Sequence, residues 1–294
     1  LSAFLFVARL PGGVIYSRDL FVLTVLGLLS RHRDRIFVFE VHTLPRSGAA
    51  RRLHLWAARR ADAIVAISDH LRDWYRDRGF DSARLLVARD GVNLATFAAL
   101  PDRNAARSRL GIPADARVVA YTGHFYRWKG ADTLAATAPL LPASWEVHLV
   151  GGIGDDLRRL EALADGERLH VRGHLPQRDA ALYVAAADVV VLPNSGHSDI
   201  SVAYTSPLKL FEYLASGRPL VASDLPSIRE VIEPDEHALL VLADDPAAFA
   251  AAIVRLGDDP DLAHRLAASA RDHATAFAWP VRARLIAQFL EALP

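Results

Sequence analysis

The chain has 294 residues, 52% of them hydrophobic, and its 34 basic residues balance 34 acidic ones to a formal net charge of zero. This length suits two domains of ordinary size, and the lack of a basic excess argues against a nucleic-acid partner. Cysteine is absent, which excludes disulfides, thiolate metal sites and a cysteine nucleophile. Methionine is absent even from position 1, so we expect the chain to be part of a longer translated product.

Two apolar runs near the N-terminus, at 2–8 and 20–29, are too short or too interrupted to span a bilayer, which takes about 20 apolar residues. No basic region precedes the first run, so no signal peptide is predicted. We therefore predict a soluble, cytoplasmic protein. The segment 31–35 after the second run is basic, and this combination also suits peripheral contact with the inner face of a membrane, although a buried crossover helix is favoured.

The first hundred residues alternate apolar strand patterns with helical patterns. Strands are predicted over 14–16, 36–39, 63–67 and 85–88, and helices over 19–29, 50–60 and 69–78. Such alternation is typical of a parallel sheet with helical crossovers. His42 follows the second strand directly, at the sheet edge where ligands of α/β proteins bind.

A polar segment at 100–104 is the predicted hinge to a second α/β domain. Strands are predicted there over 118–122, 146–150, 169–171, 188–192, 220–222 and 239–242, and helices over 104–110, 131–140, 155–164, 177–186 and 279–293. A further helix is expected to begin at Ser227, with Glu230 completing a capping box. His148 lies inside a strand pattern and is assigned a structural role.

The stretch 206–230 holds one compact helix and one buried strand. Ser206 is expected to cap the helix with its hydroxyl, Pro207 to take the first helical position and Gly217 to end the helix in the left-handed conformation. The helix follows a polar loop that leaves the strand at 188–192. Its free amides would then face the crevice above the strand ends, where a nucleotide diphosphate fits.

One face of this helix is predicted to be buried. Apolar residues recur there at helical spacing, namely Leu208, Phe211, Leu214 and Ala215. Lys209 and Glu212 fall outside that stripe. A second polar loop, 123–130, also lies between a strand and a helix and places Arg127 and Lys129 beside a gap of the size of a phosphate.

The segments 123–130 and 206–230 resemble the retaining glycosyltransferases of family 4, also called group 1. The resemblance, which runs from about residue 14 to the C-terminus, implies the α/β GT-B fold, in which two Rossmann-like domains have parallel sheets facing across a cleft. It implies a partial N-terminal acceptor-side domain at 1–100, a nucleotide-sugar domain at 101–276 and a helix at 277–294 that returns to the first domain. The N-terminal domain is expected to lack its opening strand and glycine-rich turn.

Members of the family commonly carry two glutamates separated by seven residues. Glu212 matches the second, which is implied to bind the donor ribose. Tyr204 stands at the first position, and Asp199 is an alternative carboxylate for holding the donor sugar. Lys129 matches a lysine that neutralises the leaving diphosphate.

The remaining site residues also follow from the resemblance. His124 occupies the position of a family arginine, so Arg127 is expected to neutralise the diphosphate from a shifted place, and His42 is implied to touch the donor sugar. Further donor contacts are implied for Gly123, His174, Leu175, Ser206, Pro207 and Leu208. His174 and Leu175 belong to the loop that holds the nucleobase through main-chain groups.

The sequence therefore predicts a hexosyltransferase-like enzyme that retains the configuration of the donor sugar. Its donor would be a nucleotide-diphosphate sugar and its acceptor a saccharide or a lipid-linked molecule in polysaccharide or glycolipid synthesis, with no metal or other cofactor. Two alternatives stay open. One is another reaction on the same fold, such as a nucleotide-sugar epimerase or a phosphorylase, and the other is an inactive module that binds nucleotide sugars.

Overall fold

The structure is a computed structural model and describes residues 13–29, 35–45 and 47–293. The apolar run at 2–8 and most of the basic segment at 31–35 lie outside the described residues. The chain forms two compact units. The first extends through Arg89 and includes Ala203–Ser206 and the stretch from Pro280, and the second holds Asp90–Val202 and Pro207–Trp279. The first domain limit predicted from the sequence, residue 100, lies after the change of unit at Arg89. The second predicted limit, residue 276, lies before the change of unit at Pro280.

Strands and helices alternate along most of the described chain. The strands are β1 (Gly13–Ser17), β2 (Arg35–Val41), β3 (Ala63–Ala66), β4 (Leu85–Val87), β5 (Arg117–Thr122), β6 (Trp145–Gly152), β7 (Leu169–Gly173), β8 (Val189–Leu192), β9 (Leu220–Ser223) and β10 (Leu239–Val241). The helices are α1 (Leu20–Leu29), α2 (Gly48–Ala58), α3 (Asp69–Arg76), α4 (Leu94–Ala98), α5 (Arg103–Leu110), α6 (Ala131–Thr137), α7 (Gly154–Glu161), α8 (Gln177–Ala186), α9 (Leu208–Ser216), α10 (Pro226–Arg229), α11 (Pro246–Asp258), α12 (Pro260–Ala274) and α13 (Trp279–Glu291). Each strand predicted from the sequence is present.

The first unit contains a parallel sheet in the order β1-β2-β3-β4. One face is covered by α3, whose Leu71 and Tyr75 are fully buried. On the other face, Ile286 of α13 packs with Val38 and Val65. Strands covered on both faces favour apolar residues, which explains the apolar run of β3 and of residues 36–39 in β2.

Glu40 is a buried carboxylate in β2, with 1% of its side chain exposed. Its Oε2 accepts a hydrogen bond from Nη2 of Arg282 in α13 at 2.7 Å and another from the hydroxyl of Tyr16. Its Oε1 lies 2.6 Å from Nε2 of His42 and 3.0 Å from Nε of Arg18. Burial opposes the charged form, but the hydrogen bonds outweigh it and hold the pKa of the Glu40 carboxyl well below its usual range. Glu40 thus joins β1, β2 and α13.

The second unit contains a six-stranded parallel sheet in the order β10-β9-β8-β5-β6-β7. The chain begins at β5, adds β6 and β7 on one side, and then returns to add β8, β9 and β10 on the other. Helices α5, α8 and α9 contribute to the core on one face of this sheet, and α6 and α11 to the core on the opposite face. The order of strands reverses between β5 and β8, which is where open α/β sheets bind ligands.

The start of α9 differs from the prediction. The helix begins at Leu208, and the residue before it, Pro207, has extended backbone angles and no side-chain oxygen. Pro207 therefore takes the N-cap position that was predicted for Ser206, and the helix begins one residue later than predicted. Gly217 ends the helix in the left-handed conformation, with φ 66°, which confirms the predicted stop.

The buried face of α9 is also rotated relative to the prediction. Phe211, Leu214 and Ala215 are buried as predicted, but Leu208 is 48% exposed. Leu210 and Tyr213 are fully buried instead. The hydroxyl of Tyr213 accepts a hydrogen bond from the amide of Thr122 at 2.7 Å, so this side chain fixes α9 to the end of β5.

The capping box predicted at Ser227 is absent from the described structure of α10. Pro226 takes the first helical position because its φ is fixed near the helical value, and this moves the start one residue earlier. Ser227 is buried and its hydroxyl donates to the carbonyl oxygen of Ser201. A tertiary contact has therefore replaced the local cap.

Among the described residues, no helix combines the length and the apolar composition that a membrane span requires. The apolar helix α1 has ten residues. Asp19 accepts hydrogen bonds from the amides of Phe21 and Val22 at its start.

We predict that Glu40→Gln destabilises the first unit by about 3 kcal/mol, because it removes the charge that Arg282 and His42 contact in a buried site. Hydrogen exchange of the β2 and β3 amides in the full chain measures this as lost protection. Glu291→Gln, an exposed change in α13, is the control. The depressed pKa of Glu40 also determines how the stability of the first unit changes with pH. The stabilisation is complete above about pH 4.3, the ordinary glutamate value, and falls as the pH decreases below it. Equal protection in the two variants would contradict this role for Glu40.

Candidate functional site

The candidate site lies at the carboxyl ends of β5 and β8, where the strand order reverses. The loops that follow these two strands are hydrogen-bonded to each other. The carbonyl oxygen of Trp128, in the loop after β5, accepts from the amide of Ser195 at 2.9 Å and from the hydroxyl of Ser201 at 2.7 Å. Both serines belong to the segment after β8, so the two loops form one connected surface.

Two glycines fix the loop after β5. Gly130 has φ 71° and ends the short 3₁₀ turn Arg127–Lys129 just before α6. A Cβ atom at Gly130 would lie 1.7 Å from the carbonyl oxygen of Pro193, which follows β8. Gly123 has φ 152°, and its amide donates to the carbonyl oxygen of Val150 at 2.8 Å. The backbone beside Lys129 is therefore held at a distance that only glycine permits.

Two side chains hold Glu212, one from its own helix α9 and one from the neighbouring helix α8. Its Oε2 lies 2.6 Å from Nζ of Lys209, and its Oε1 accepts a hydrogen bond from Nε2 of Gln177 at 3.2 Å. Only 14% of the Glu212 side chain is exposed. A side-chain atom at Gly123 would come within 3.8 Å of Cγ of Lys209. The first turn of α9 thus lies against the loop after β5.

The site carries more positive than negative charge. Burial lowers the pKa of the Lys129 ammonium, the charge of Lys209 lowers it further, and Glu212 partly opposes this effect. Lys129 makes no ion pair within the described part of the chain, and its ammonium lies 5.0 Å from the ring of Trp128. Lys209 is paired with Glu212, and the half-buried ammonium of Lys129 has no such partner among the described residues, an arrangement that favours an anionic ligand.

Aromatic and imidazole rings line the same loop. His124 stacks with Tyr126 at 5.1 Å between ring centroids and lies parallel to His174, from the loop after β7, at 6.4 Å. Burial, together with the charges of Lys129, His174 and Lys209, lowers the pKa of His124. These effects favour the neutral form of His124, which can donate or accept a hydrogen bond without adding charge.

The structure brings together some predicted site residues and not others. Lys129, Glu212 and Gly123 lie in one place, and His174 reaches it through His124. Arg127 is exposed, and no ion pair involves its side chain among the residues described here. Three other predicted residues differ in their surroundings. Leu175 packs against the core of the second unit, Leu208 is exposed, and Pro207 precedes α9.

His42 and Ser206 belong to the first unit. Tyr204, which stands where the family pattern has a glutamate, belongs there too, and its ring packs edge-on against His70 at 5.1 Å. Asp199, the alternative carboxylate, is exposed. The structure therefore places no carboxylate at the position of the first family glutamate.

Sequence reasoning missed Lys209 and Gln177 as site residues. Both contact Glu212, and a signal for one of them was present in the composition. Lysine occurs only twice in all 294 residues, at 129 and 209. All the remaining residues in the combined lysine and arginine count of 34 are arginines. Both lysines lie in the candidate site. A residue type that the chain otherwise replaces by arginine points to positions where a compact ammonium is needed.

We predict that Gly130→Ala destabilises the protein by about 3–5 kcal/mol, because the new methyl group adds a backbone clash to the cost of a positive φ. Gly111 is a matched control, since it has the same φ of 71° and no atom within 4 Å of a Cβ. Gly111→Ala should cost only about 1–2 kcal/mol. Urea unfolding of both variants, followed by tryptophan fluorescence, measures the difference. Equal losses would show that the approach to Pro193 is not a constraint.

The two lysines permit a direct test of the electrostatics. Reductive ¹³C-methylation labels Lys129, Lys209 and the N-terminal amine alone, and Lys129→Arg assigns the signals. We expect Lys129 to titrate below the ordinary lysine pKa of about 10.4, because burial and Lys209 disfavour its charged form. NMR titration of the labelled chain checks this. A titration at or above the ordinary value would contradict the charge arrangement described above.

Family models match the chain over residues 116–259, described as glycosyl transferases group 1, and over residues 12–96, described as glycosyltransferase family 4. D-inositol 3-phosphate glycosyltransferase of Thermobispora bispora is 34% identical over 226 residues, which are 71% of this chain and 51% of that protein. D-inositol 3-phosphate glycosyltransferase 1 of Catenulispora acidiphila is 33% identical over 83% of this chain and 58% of that protein. The chain spans about half the length of the curated relatives it matches.

Solved structures show the same fold. Sucrose-phosphate synthase from Thermosynechococcus elongatus aligns with a TM-score of 0.76 and 26% identity over 95% of this chain and 73% of that chain. HepE of Anabaena, solved in complex with UDP, aligns with a TM-score of 0.83 and 19% identity over 99% of this chain and 81% of that chain. The chain therefore belongs to the group 1, family 4 glycosyltransferases and has the GT-B fold with two parallel-sheet α/β domains.

Proposed function

We propose that this protein transfers a sugar from a nucleotide-diphosphate sugar to a hydroxyl group of an acceptor. The observation that carries the proposal is the meeting of Lys129, Lys209 and Glu212 at the point where the strand order of the second sheet reverses. Glycosyltransferase family membership supports the reaction class. HepE has been solved with UDP and with UDP-glucose, which makes UDP the first nucleotide to test.

The lysines act on the leaving group. When the bond between the anomeric carbon and the diphosphate breaks, negative charge develops on the departing phosphate oxygen. Ammonium groups of Lys129 and Lys209, already in place before the reaction, stabilise that charge without reorganising. Arg127 lies at the start of the same 3₁₀ turn and is proposed to approach the diphosphate from the exposed side.

Glu212 is proposed to bind the ribose. A carboxylate accepts hydrogen bonds from two neighbouring hydroxyls, and in the free protein its two oxygens are occupied by Lys209 and Gln177. Ribose binding would exchange at least one of these partners and release Lys209 toward the diphosphate. The loop with His174 and Leu175, together with Gly123, Ser206, Pro207 and Leu208, is proposed to supply the other donor contacts, largely through main-chain groups.

Transfer is proposed to retain the anomeric configuration. The acceptor oxygen forms its bond to the anomeric carbon on the face from which the diphosphate departs, and its proton passes to the leaving phosphate oxygen. This step needs no protein nucleophile, and the lysines supply the positive charge, so the proposal assigns no metal to it. His42 is proposed to contact the donor sugar, a hexose, as the family resemblance implies.

The acceptor is proposed to be a saccharide or a lipid-linked molecule, in polysaccharide or glycolipid synthesis. The curated relatives are named for D-inositol 3-phosphate, so a phosphorylated polyol is a third acceptor class to test. For a lipid-linked acceptor we propose peripheral contact with the inner face of the membrane through α1, where Phe21 is 72% exposed.

A second candidate function is nucleotide-sugar binding without transfer. Tyr204 favours it, because this residue occupies the place of a family glutamate and packs against His70. Product analysis separates the candidates. Transfer yields a glycoside, an epimerase yields a free monosaccharide, and a binding module yields neither.

We predict that UDP or GDP binds the chain and that Lys129→Ala and Glu212→Ala each weaken this binding by about 10- to 100-fold, since each removes a charge-assisted contact worth about 1.5–3 kcal/mol. Calorimetric titration of each nucleotide measures the affinity and identifies the preferred base. Arg255→Ala and Glu161→Ala remove exposed charges on other helices of the second unit and should leave the affinity unchanged. Failure of the folded chain to bind either nucleotide would overturn the proposal.

A further inference from the structure

Three side chains with metal-binding atoms meet at the outer part of the second sheet. Glu146 and His148 lie on β6, and His170 lies on the edge strand β7, where it is the direct register partner of His148. Residues two apart on a strand point to the same face, so all three side chains lie on one face of the sheet. Glu146 is near the amino end of β6, at the opposite end of the strands from the candidate donor site.

The two carboxylate-to-imidazole distances suit one small cation. The rings of His148 and His170 stack at 4.5 Å between centroids with 17° between their planes, so they would turn about their side-chain bonds to present both nitrogens to the ion. Oε2 of Glu146 is 3.2 Å from Nε2 of His148 and 3.5 Å from Nε2 of His170, and the three donor atoms lie within 4.8 Å of one another. Zinc ligands at 2.0–2.2 Å in tetrahedral geometry are separated by about 3.3–3.6 Å. Both measured carboxylate-to-imidazole distances are close to that range.

One of the two imidazoles offers an unused nitrogen. Nε2 of His148 is within hydrogen-bond distance of Oε2 of Glu146 at 3.2 Å. Nε2 of His170 is buried and makes no hydrogen bond to any described residue. Such an unsatisfied nitrogen costs stability unless a ligand occupies it.

The cluster lies near the surface and near two cations. The Glu146 and His170 side chains are 22% and 26% exposed, while Nε2 of His170 itself is buried, so solvent reaches the edge of the cluster. Arg172 and Arg107 both act on His148 with positive charge. The nearby guanidinium of Arg107 is paired with Asp188 at 2.7 Å. Glu146 supplies the negative charge of the site.

We propose that Glu146, His148 and His170 form a structural site for a first-row divalent transition metal ion, with zinc as the best fit. Two imidazole nitrogens and one carboxylate oxygen are a ligand set that zinc accepts, and the open fourth position takes water. The ion would connect β6 to the edge strand β7, which leads directly into the loop with His174. This site is separate from the proposed transfer reaction and does not depend on it.

The test uses the full chain after removal of metal with a chelator and dialysis. Addition of zinc should raise the melting temperature by about 3–6 °C at a free concentration tenfold above Kd, with one ion bound per chain. Cobalt(II), added in place of zinc, should give the visible absorption of a tetrahedral complex. His170→Gln and Glu146→Gln should each abolish the rise, whereas His264→Gln, at an exposed position of α12, should retain it.

Two variants guard against a folding defect, since each is compared with its own metal-free melting temperature. A zinc-dependent rise that persists in both His170→Gln and Glu146→Gln would place the ion elsewhere and overturn the proposal. An absence of any rise in the chelated wild-type chain would overturn it as well, and would leave the cluster as a hydrogen-bonded group of side chains.

Discussion

The contact between the backbone of Gly130 and the carbonyl group of Pro193 determines the geometry of the candidate site. Strands β5 and β8 are hydrogen-bonded neighbours, but the loops that leave them can lie side by side only where no side chain separates them. Glycine at 130 permits this approach, and the carbonyl of Trp128 then accepts bonds from the segment after β8. Lys129 lies between these two contacts. Its position is therefore fixed by main-chain packing rather than by a partner for its charge.

That fixed position has an electrostatic consequence. An ammonium held in a half-buried place without a counter-ion is unfavourable in the free protein, and the lowered pKa of Lys129 expresses this cost. A bound diphosphate would supply the counter-ion and remove this cost. Part of the binding free energy would therefore come from relieving an unfavourable charge that the folded protein already holds. Lys209 differs, because Glu212 neutralises it at 2.6 Å. Lys129 is thus available to an anion as it stands, whereas Lys209 would become available when Glu212 takes a different partner.

The sequence predicted the strands well because parallel strands covered on both faces must be apolar throughout, a requirement that leaves a clear local pattern. It failed where a tertiary contact replaced a local one. The hydroxyl of Ser227 bonds to Ser201 instead of capping α10. Glu40 was not identified as a centre of interactions because Arg282 is 242 residues away in the chain. Lys209 was placed only outside the buried stripe of α9, since helical periodicity says nothing about the partner of an outward charge.

The residues proposed to bind the diphosphate and the position of the first family glutamate belong to different units. Lys129, Lys209 and Glu212, the residues proposed to bind the nucleotide diphosphate, all belong to the second unit. The segment Ala203–Ser206 precedes α9 directly but belongs to the first unit, where the hydroxyl of Ser68 donates to the carbonyl oxygen of Ala203 at 3.4 Å and Tyr204 packs against His70. The change of unit thus falls between the residue that replaces the family glutamate and the helix that carries Glu212. Under the proposed function, a substitution of Tyr204 is therefore expected to alter handling of the sugar and to preserve nucleotide affinity.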